Sequence, residues 1–398
     1  MSRSAKLIFV SDDNHNKFYN MTDNGSTINV EYGRVGATSQ TASYPSSKWS
    51  SLLSSKLKKG YSDVTHLFTE SASSSTVSFL DISDRFVQSL IDKLESYTKQ
   101  KVNTNYLVTA DNVTEKQIKE AQSLLNDLLS VKSNRELNRV LIEIFKTIPR
   151  KMKKVGDHLY DEGSDFKYGI IEDVVSKEQD LLDTMSQQVK QVELVHDNKD
   201  DKLTLLDAMG LEIYNVRPDQ ETMIKNKLAN LKDNYIKGFR VVNKKTQERF
   251  DKHIAKVDNK KTSLFFHGSR NENWLPILQT GLVLRPTNAV ITGKMFGYGL
   301  YYADKAQKSW GYTSARNSYW AKGNANEAYM ALFNVHLGNQ LHIKRHESWC
   351  SSLDHSRLTA KGKYDSLFAE GGIDLRNNEY IVYKEEQSTI QYIIQMKG

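Results

Sequence analysis

Polar and apolar residues alternate along the first part of the chain with the period of two that marks strands buried on one side. Lys6-Leu7-Ile8-Phe9-Val10 predicts one strand and Lys17-Phe18-Tyr19-Asn20-Met21 the next. The polar cluster from Ser11 to Asn16 separates them, and Asp23-Asn24-Gly25 turns the chain into a third strand, Thr27 to Gly36, that ends in a tight turn. From Lys48 to Lys58 the period becomes helical, with Trp49, Leu52, Leu53 and Leu57 on one face and a stop at Lys58-Lys59-Gly60. Residues 69–78 (Thr-Glu-Ser-Ala-Ser-Ser-Ser-Thr-Val-Ser) are nearly without apolar positions and read as a flexible linker.

Past the linker the pattern is that of helices. Phe86, Leu90 and Leu94 recur at every fourth position. Thr114-Glu115-Lys116-Gln117 is a capping box ahead of Ile118, Ala121, Leu125 and Leu128. Ser133-Asn134-Arg135-Glu136 is a second, ahead of Leu137, Leu141, Ile144 and Phe145, and that helix must halt before Pro149. Val174, Leu181, Leu182, Met185 and Val189 mark another within 170–195. These stripes predict an ordinary helical core, and the basic cluster Arg150, Lys151, Lys153 and Lys154 a solvated face. After the charged run His196 to Lys202, strands (211–216, 239–242, 328–337, 379–383, 389–396) and helices (219–232, 245–254, 274–279) alternate irregularly, as in a strand-rich α+β unit.

A length of 398 residues exceeds one ordinary core, so two or three domains are expected. No run of about 18 apolar residues predicts a membrane span, and the N-terminal apolar patch is too short for a signal peptide. Cys350 is the single cysteine, which excludes an internal disulfide and a cysteine-rich zinc site. The expectation is an intracellular protein, nuclear in a eukaryote and cytoplasmic in a bacterial or viral setting. A net charge of +7 permits a polyanionic partner without requiring one.

Candidate chemistry lies at strand ends. Leu264-Phe265-Phe266 stops at a polar His267-Gly268-Ser269 turn. A glycine-punctuated stretch, Thr292 to Gly299, runs into Leu300-Tyr301-Tyr302-Ala303-Asp304, and Asn378-Glu379 heads the apolar Tyr380-Ile381-Val382-Tyr383. Each alone has a plain structural reading: a turn, strand packing, a charge guarding an edge strand. Gly293, Gly297 and Gly299 precede a strand rather than a helix, so they form no Rossmann phosphate loop.

Together with Lys308-Ser309, these segments resemble, in order and spacing, the catalytic domain of the poly(ADP-ribose) polymerases over about residues 203 to 398. The resemblance implies NAD+ as the substrate, no metal, and the family's His-Tyr-Glu triad on His267, Tyr301 and Glu379. It implies that His267 hydrogen-bonds a ribose hydroxyl, that Gly268 and Ser309 hold the carboxamide, and that Tyr301 and Tyr312 flank the nicotinamide ring. Glu379 would polarise the ribose and activate the acceptor, Lys308 would line the acceptor side, Ser269 and Asn273 would contact the adenosine side, and Arg285 would reach the adenine or the pyrophosphate. The segment between Leu353 and Asn378 is shorter than in the family, which trims the loop over the acceptor site.

The N-terminal segments Asn16-Lys17-Phe18-Tyr19, Tyr32-Gly33-Arg34-Val35-Gly36 and Lys58-Lys59-Gly60-Tyr61 resemble the WGR domain of the DNA-dependent members over residues 5 to 68, with Tyr32 where the family has tryptophan. That resemblance implies that Tyr32 stacks on a terminal sugar or base and that Arg34 contacts a 5′-phosphate. The helical block, through Phe145-Lys146-Thr147-Ile148-Pro149, resembles the same enzymes' regulatory domain. The expected fold is therefore a multidomain α+β chain: a small antiparallel-sheet WGR-like domain (1–68), a linker (69–78), an all-α regulatory bundle (79–198) and a strand-rich ADP-ribosyltransferase domain (199–398). The expected function is a DNA-break-activated transferase that releases nicotinamide and builds poly(ADP-ribose) on proteins, itself included, away from membranes. The alternatives are a mono-ADP-ribosyltransferase and a DNA-end-binding scaffold with an inactive pocket.

Overall fold

The computed structural model describes residues 3–12, 15–35, 37–65, 79–152, 154–166, 168–197, 203–284, 295–315 and 325–398. The expected linker at 69–78, together with Lys153, Arg285 and Gly293, lies outside them. The chain divides into two compact units, one within residues 1–76 and 99–193, the other within 77–98, 194–287 and 291–398. None of the described helices is long and apolar enough to cross a membrane.

In the first unit, β1 (Arg3–Ser11), β2 (His15–Asp23), β3 (Thr27–Arg34), β4 (Gln40–Pro45) and β5 (Ser62–Asp63) form an antiparallel sheet in the order β4-β3-β2-β1-β5. Helix α1 (Trp49–Lys58) follows β4. The period of two decides where the apolar residues go. Ala5 and Leu7 of β1 pack with Tyr19, Met21, Ile28, Val30 and Trp49, whereas Ile8 and Val10 join the apolar core of the helices. The strand expected over 27–36 ends at Arg34, and β4 takes the next place at the sheet edge.

The helices are α2 (Arg85–Asn105), α3 (Glu115–Asp127), α4 (Asn134–Thr147) and α5 (Tyr168–Asp197). The capping box at Thr114 is complete: its N–H donates to Gln117 Oε1 (3.1 Å) and Gln117 N–H donates to its hydroxyl (3.3 Å). At Ser133 only half of one forms, because the Glu136 carboxylate accepts from Lys132 N–H (2.8 Å) instead of from the capping residue. Arg150, expected on a solvated face, is buried; it pairs with Glu178 and lies 4.2 Å over the Tyr106 ring.

Helix α2 contributes to both units, dividing after Thr98. Its buried face in the second unit is Val87, Leu90, Ile91 and Leu94, while Phe86 is 44% exposed with the Lys237 ammonium 3.5 Å above its ring. The face is thus rotated by one residue from that predicted by Phe86, Leu90 and Leu94.

The second unit continues with α6 (Leu205–Met209), β6 (Leu211–Asn215), α7 (Pro218–Leu228), β7 (Tyr235–Asn243), α8 (Lys244–Lys256), β8 (Thr262–Gly268), α9 (Trp274–Thr280), β9 (Leu300–Tyr302), α10 (Ala306–Trp310) and β10 (Glu327–His336). It ends with β11 (Gln340–Ile343), α11 (His355–Ala360), β12 (Ser366–Ala369), β13 (Glu379–Val382) and β14 (Ser388–Lys397). One sheet is antiparallel in the order β6-β7-β14-β10-β8. The other runs β11-β12-β13-β9 and is antiparallel except for β11 beside β12. Residues 328–335 are almost wholly buried, so β10 reads as a central strand with both faces covered.

Replacing Arg150 by alanine leaves Glu178 charged and unpaired in the helical core, so urea denaturation will show a loss of about 3–5 kcal/mol. The double replacement Arg150→Met with Glu178→Leu will recover most of that loss.

Candidate active site

The two sheets of the second unit are joined by backbone. Phe266 N–H donates to the Ala303 carbonyl (2.8 Å) and Ala303 N–H donates to the Phe266 carbonyl (2.9 Å). This bridge brings the end of β8 beside β9, and His267 Nδ1–H donates to the Tyr301 carbonyl (3.0 Å). A carbonyl only accepts, so the bond assigns a ring proton to Nδ1. Trp274, Tyr302 and Phe333 surround the imidazole edge-on, with centroids 6.0–6.3 Å away.

Gly268 follows, and its neighbour leaves room for no side chain: a Cβ there would lie 1.9 Å from the Ser309 carbonyl oxygen. Only glycine lets β8 end against the backbone of α10. Ser309 is buried, and beside it in the helix Lys308 reaches Glu379, with which it forms an ion pair. The side chains of Lys308 and Glu379 keep 14% and 10% of their surface, so the ammonium offsets a carboxylate burial that would otherwise be costly.

Glu379 opens β13 opposite Ala369, while Ile381 lies opposite Tyr301 on β9. Strand alternation therefore puts Glu379 and Tyr301 on the same face of the second sheet. Tyr301 is locked at its far end: its hydroxyl accepts from Phe296 N–H and donates to the Gly297 carbonyl, each at 3.0 Å. Burial, with Tyr383 and Glu379 adding, pushes this phenol well above its ordinary value. Tyr312 is 42% exposed, and its phenol is raised first by burial and then by the Glu379 carboxylate.

The sequence profile of the poly(ADP-ribose) polymerase catalytic domain matches residues 220–398, the region that holds all these groups. The protein 101L of Invertebrate iridescent virus 6 is 36% identical over 194 residues, 48% of this chain and 79% of that protein. The same virus's 100L, described as a putative poly(ADP-ribose) polymerase-like protein, is 37% identical over 156 residues, 38% of this chain and 79% of its own length. The chain belongs to the poly(ADP-ribose) polymerase family. A maize relative, poly(ADP-ribose) polymerase 2, is 25% identical over 308 residues, 68% of this chain and 44% of that protein. The catalytic domain of this family uses NAD+ as the substrate of ADP-ribosyl transfer.

Of the residues singled out from the polymerase-like motifs, His267, Gly268, Tyr301, Lys308, Ser309 and Glu379 are linked by the contacts above. Ser269 and Asn273 pair with each other at the start of α9, the Asn273 amide donating to the Ser269 hydroxyl (3.1 Å). Tyr32 and Arg34 lie in the first unit, on β3. Tyr32 stands opposite Tyr19 with ring centroids 5.9 Å apart, Lys56 sits 3.8 Å over the Tyr19 ring, and Arg34 stands opposite Lys17.

Three further residues shape the polymerase-like site. Gly297 has φ +71°, and a Cβ there would meet the Leu353 carbonyl oxygen at 2.2 Å; Tyr298 N–H donates to that same carbonyl (2.7 Å). Tyr383 donates to the Phe296 carbonyl (2.7 Å), and Asp304 accepts from the Asn378 amide (2.9 Å). Tyr383 and Asp304 were visible within the motifs but carried no role; Leu353 had no signal at all, since its contact is made by backbone.

Gly268→Ala will force β8 from α10 and lower the unfolding free energy by about 3 kcal/mol. Tyr301, Tyr302 and Tyr383 all have phenols raised by burial. Unfolding lets them ionise near pH ~10, so their contribution is complete below about pH 10 and falls as pH rises toward their folded values. Chemical denaturation at stepped alkaline pH will show that decline, and Tyr302→Phe will make it shallower.

Proposed function

We propose that this chain transfers ADP-ribose from NAD+ to protein acceptors, itself included, and extends it to poly(ADP-ribose) when it meets DNA strand breaks. The observation that supports the reading is that His267 bonds the Tyr301 carbonyl while Tyr301 and Glu379 share one face of the second sheet, with Gly268 packed against the Ser309 backbone beside them.

Transfer breaks the bond between C1′ of the ribose and the nicotinamide nitrogen. The bonding pair leaves with nicotinamide, and an acceptor oxygen forms the new bond to C1′ as its proton is taken up. The transition state is oxocarbenium-like, so a carboxylate beside the sugar lowers its energy most. Glu379 fills that role and accepts the acceptor's proton, and its ion pair with Lys308 holds it in the cleft. His267 hydrogen-bonds a ribose hydroxyl. Tyr301 and Tyr312 flank the nicotinamide ring, Gly268 N–H and the Ser309 hydroxyl read its carboxamide, and Ser269 and Asn273 contact the adenosine side.

Regulation by breaks is the finer part of the proposal. The Tyr32–Tyr19 pair capped by Lys56, with Arg34 nearby on β3, is the kind of aromatic and cationic surface that takes a nucleic-acid end. The maize match covers 68% of this chain, more than the catalytic-domain profile at 220–398, which favours likeness beyond the catalytic domain. The functional parts are a break-binding WGR-like region (1–68), a linker (69–78), a helical regulatory region (79–198) and the catalytic region (199–398).

The test is nicotinamide release from NAD+ by the purified chain, with and without a short 5′-phosphorylated nicked duplex, with products sized on a gel. Wild-type protein will release nicotinamide faster with DNA and form long polymer. Glu379→Gln will lower the rate on the order of 10²–10³-fold, the range seen when a single charge-stabilising group is removed. A single unit of ADP-ribose on the acceptor would turn the reading to mono-transfer. A high rate indifferent to DNA would remove the break-sensing part, and no release at all would remove the transferase.

A further inference from the structure

Asp304 lies where β9 leads into α10, and its carboxylate is committed in an uncommon way. One oxygen, Oδ2, accepts from both the Asn378 amide (2.9 Å) and the Tyr380 hydroxyl (3.4 Å). These two residues stand on either side of Glu379. The other oxygen, Oδ1, is buried and accepts no hydrogen bond among the described residues. The Asn378 side-chain oxygen, Oδ1, in turn accepts from Gly371 N–H (2.9 Å), which ties the same side chain to the chain just past β12. Lys308, the partner of Glu379, is carried by the same α10 segment that Asp304 leads into.

A carboxylate oxygen buried without a partner destabilises a fold, and such departures are retained where a site needs them. From this geometry we infer that Asp304 is a positioning residue that holds both neighbours of Glu379, and through them sets the Glu379 carboxylate against Lys308 and the reacting ribose. The inference rests on the transferase reading above. Asp304 touches neither substrate nor reacting atoms; it acts on where Glu379 stands. The shared oxygen gives it leverage, because the Asn378 and Tyr380 side chains, two positions apart, converge on it from the same face of the extended chain, opposite the face of Glu379, and fixing both fixes the backbone of the residue between them.

Steady-state nicotinamide release by the full chain tests this with Asp304→Ala, Asp304→Asn and Glu379→Gln, singly and as the Asp304→Ala, Glu379→Gln double variant. Asp304→Ala will lower kcat about 10- to 100-fold, the scale of a misplacement near 1 Å, with KM for NAD+ within about threefold. Asp304→Asn keeps an oxygen for the Asn378 amide and will recover most of the rate. In the Glu379→Gln background, Asp304→Ala will cost less than about threefold more, because the group it positions is already disabled. Equal losses in both backgrounds, or a kcat for Asp304→Ala within about twofold of wild type, overturn the inference while leaving the transferase intact. Should Asp304→Ala fail to fold, Tyr380→Phe combined with Asn378→Ala must reproduce the kcat loss, and a normal rate there overturns it as well. A wild-type chain that releases no nicotinamide overturns the transferase reading and this inference with it.

Discussion

Two backbone hydrogen bonds, between Phe266 and Ala303, carry more of this site than any side chain does. They join the edge of a five-stranded sheet to the edge of a four-stranded one. Without that bridge, His267 and Tyr301 would end strands that have no reason to meet. The bridge works only because the next residue is glycine. A methyl group at 268 would stand inside the Ser309 backbone, so the two sheets and α10 can close on one another only along a side-chain-free stretch. The histidine then spends its Nδ1 proton on the Tyr301 carbonyl, which fixes its ring.

Around this junction the polar groups are arranged in pairs rather than left exposed. Glu379 and Lys308 share charge, Tyr301 is gripped at its hydroxyl by the backbone of 296 and 297, and Tyr383 holds the Phe296 carbonyl from the opposite side. Each bond fixes a segment of the proposed site. The glycine turn before β9 is pinned by hydrogen bonds with Tyr301, Tyr383 and the Leu353 backbone, and it buries Phe296 in one apolar cluster with Leu353 and Ile381. Its order is imposed by that buried ring, by the hydrogen bonds and by the close contacts that glycine alone permits.

Much of this was legible in the sequence. Short apolar runs bounded by polar residues placed His267 near the end of β8, Tyr301 within β9 and Glu379 at the start of β13, and the period of two in residues 5–30 gave β1, β2 and β3. The capping box at Thr114 predicted the start of α3 because its two bonds are local. What escaped was of another kind. Strand β4 has no buried residue, so no alternation announces it. Phe86 was read into the buried stripe in place of Val87, because composition does not say that a ring will be satisfied by a cation above it. Arg150 looked like solvated charge; its partner Glu178 is distant in sequence and carries no local mark. The Leu353 contact is pure backbone, invisible to any reading of side chains.

The division of α2 after Thr98 has a practical corollary. Val87, Leu90, Ile91 and Leu94 share one apolar core with Leu205, Phe239, Val241 and Ile393. They are part of the wall of the catalytic unit, although residues 99–193 of the other unit are threaded between them and the rest of it. A catalytic fragment cut at residue 199 would leave the 205–241 segment with a bare hydrophobic strip and a tendency to aggregate. The smallest self-sufficient piece is therefore discontinuous in sequence, and excising the helices between its two parts requires a splice rather than a truncation.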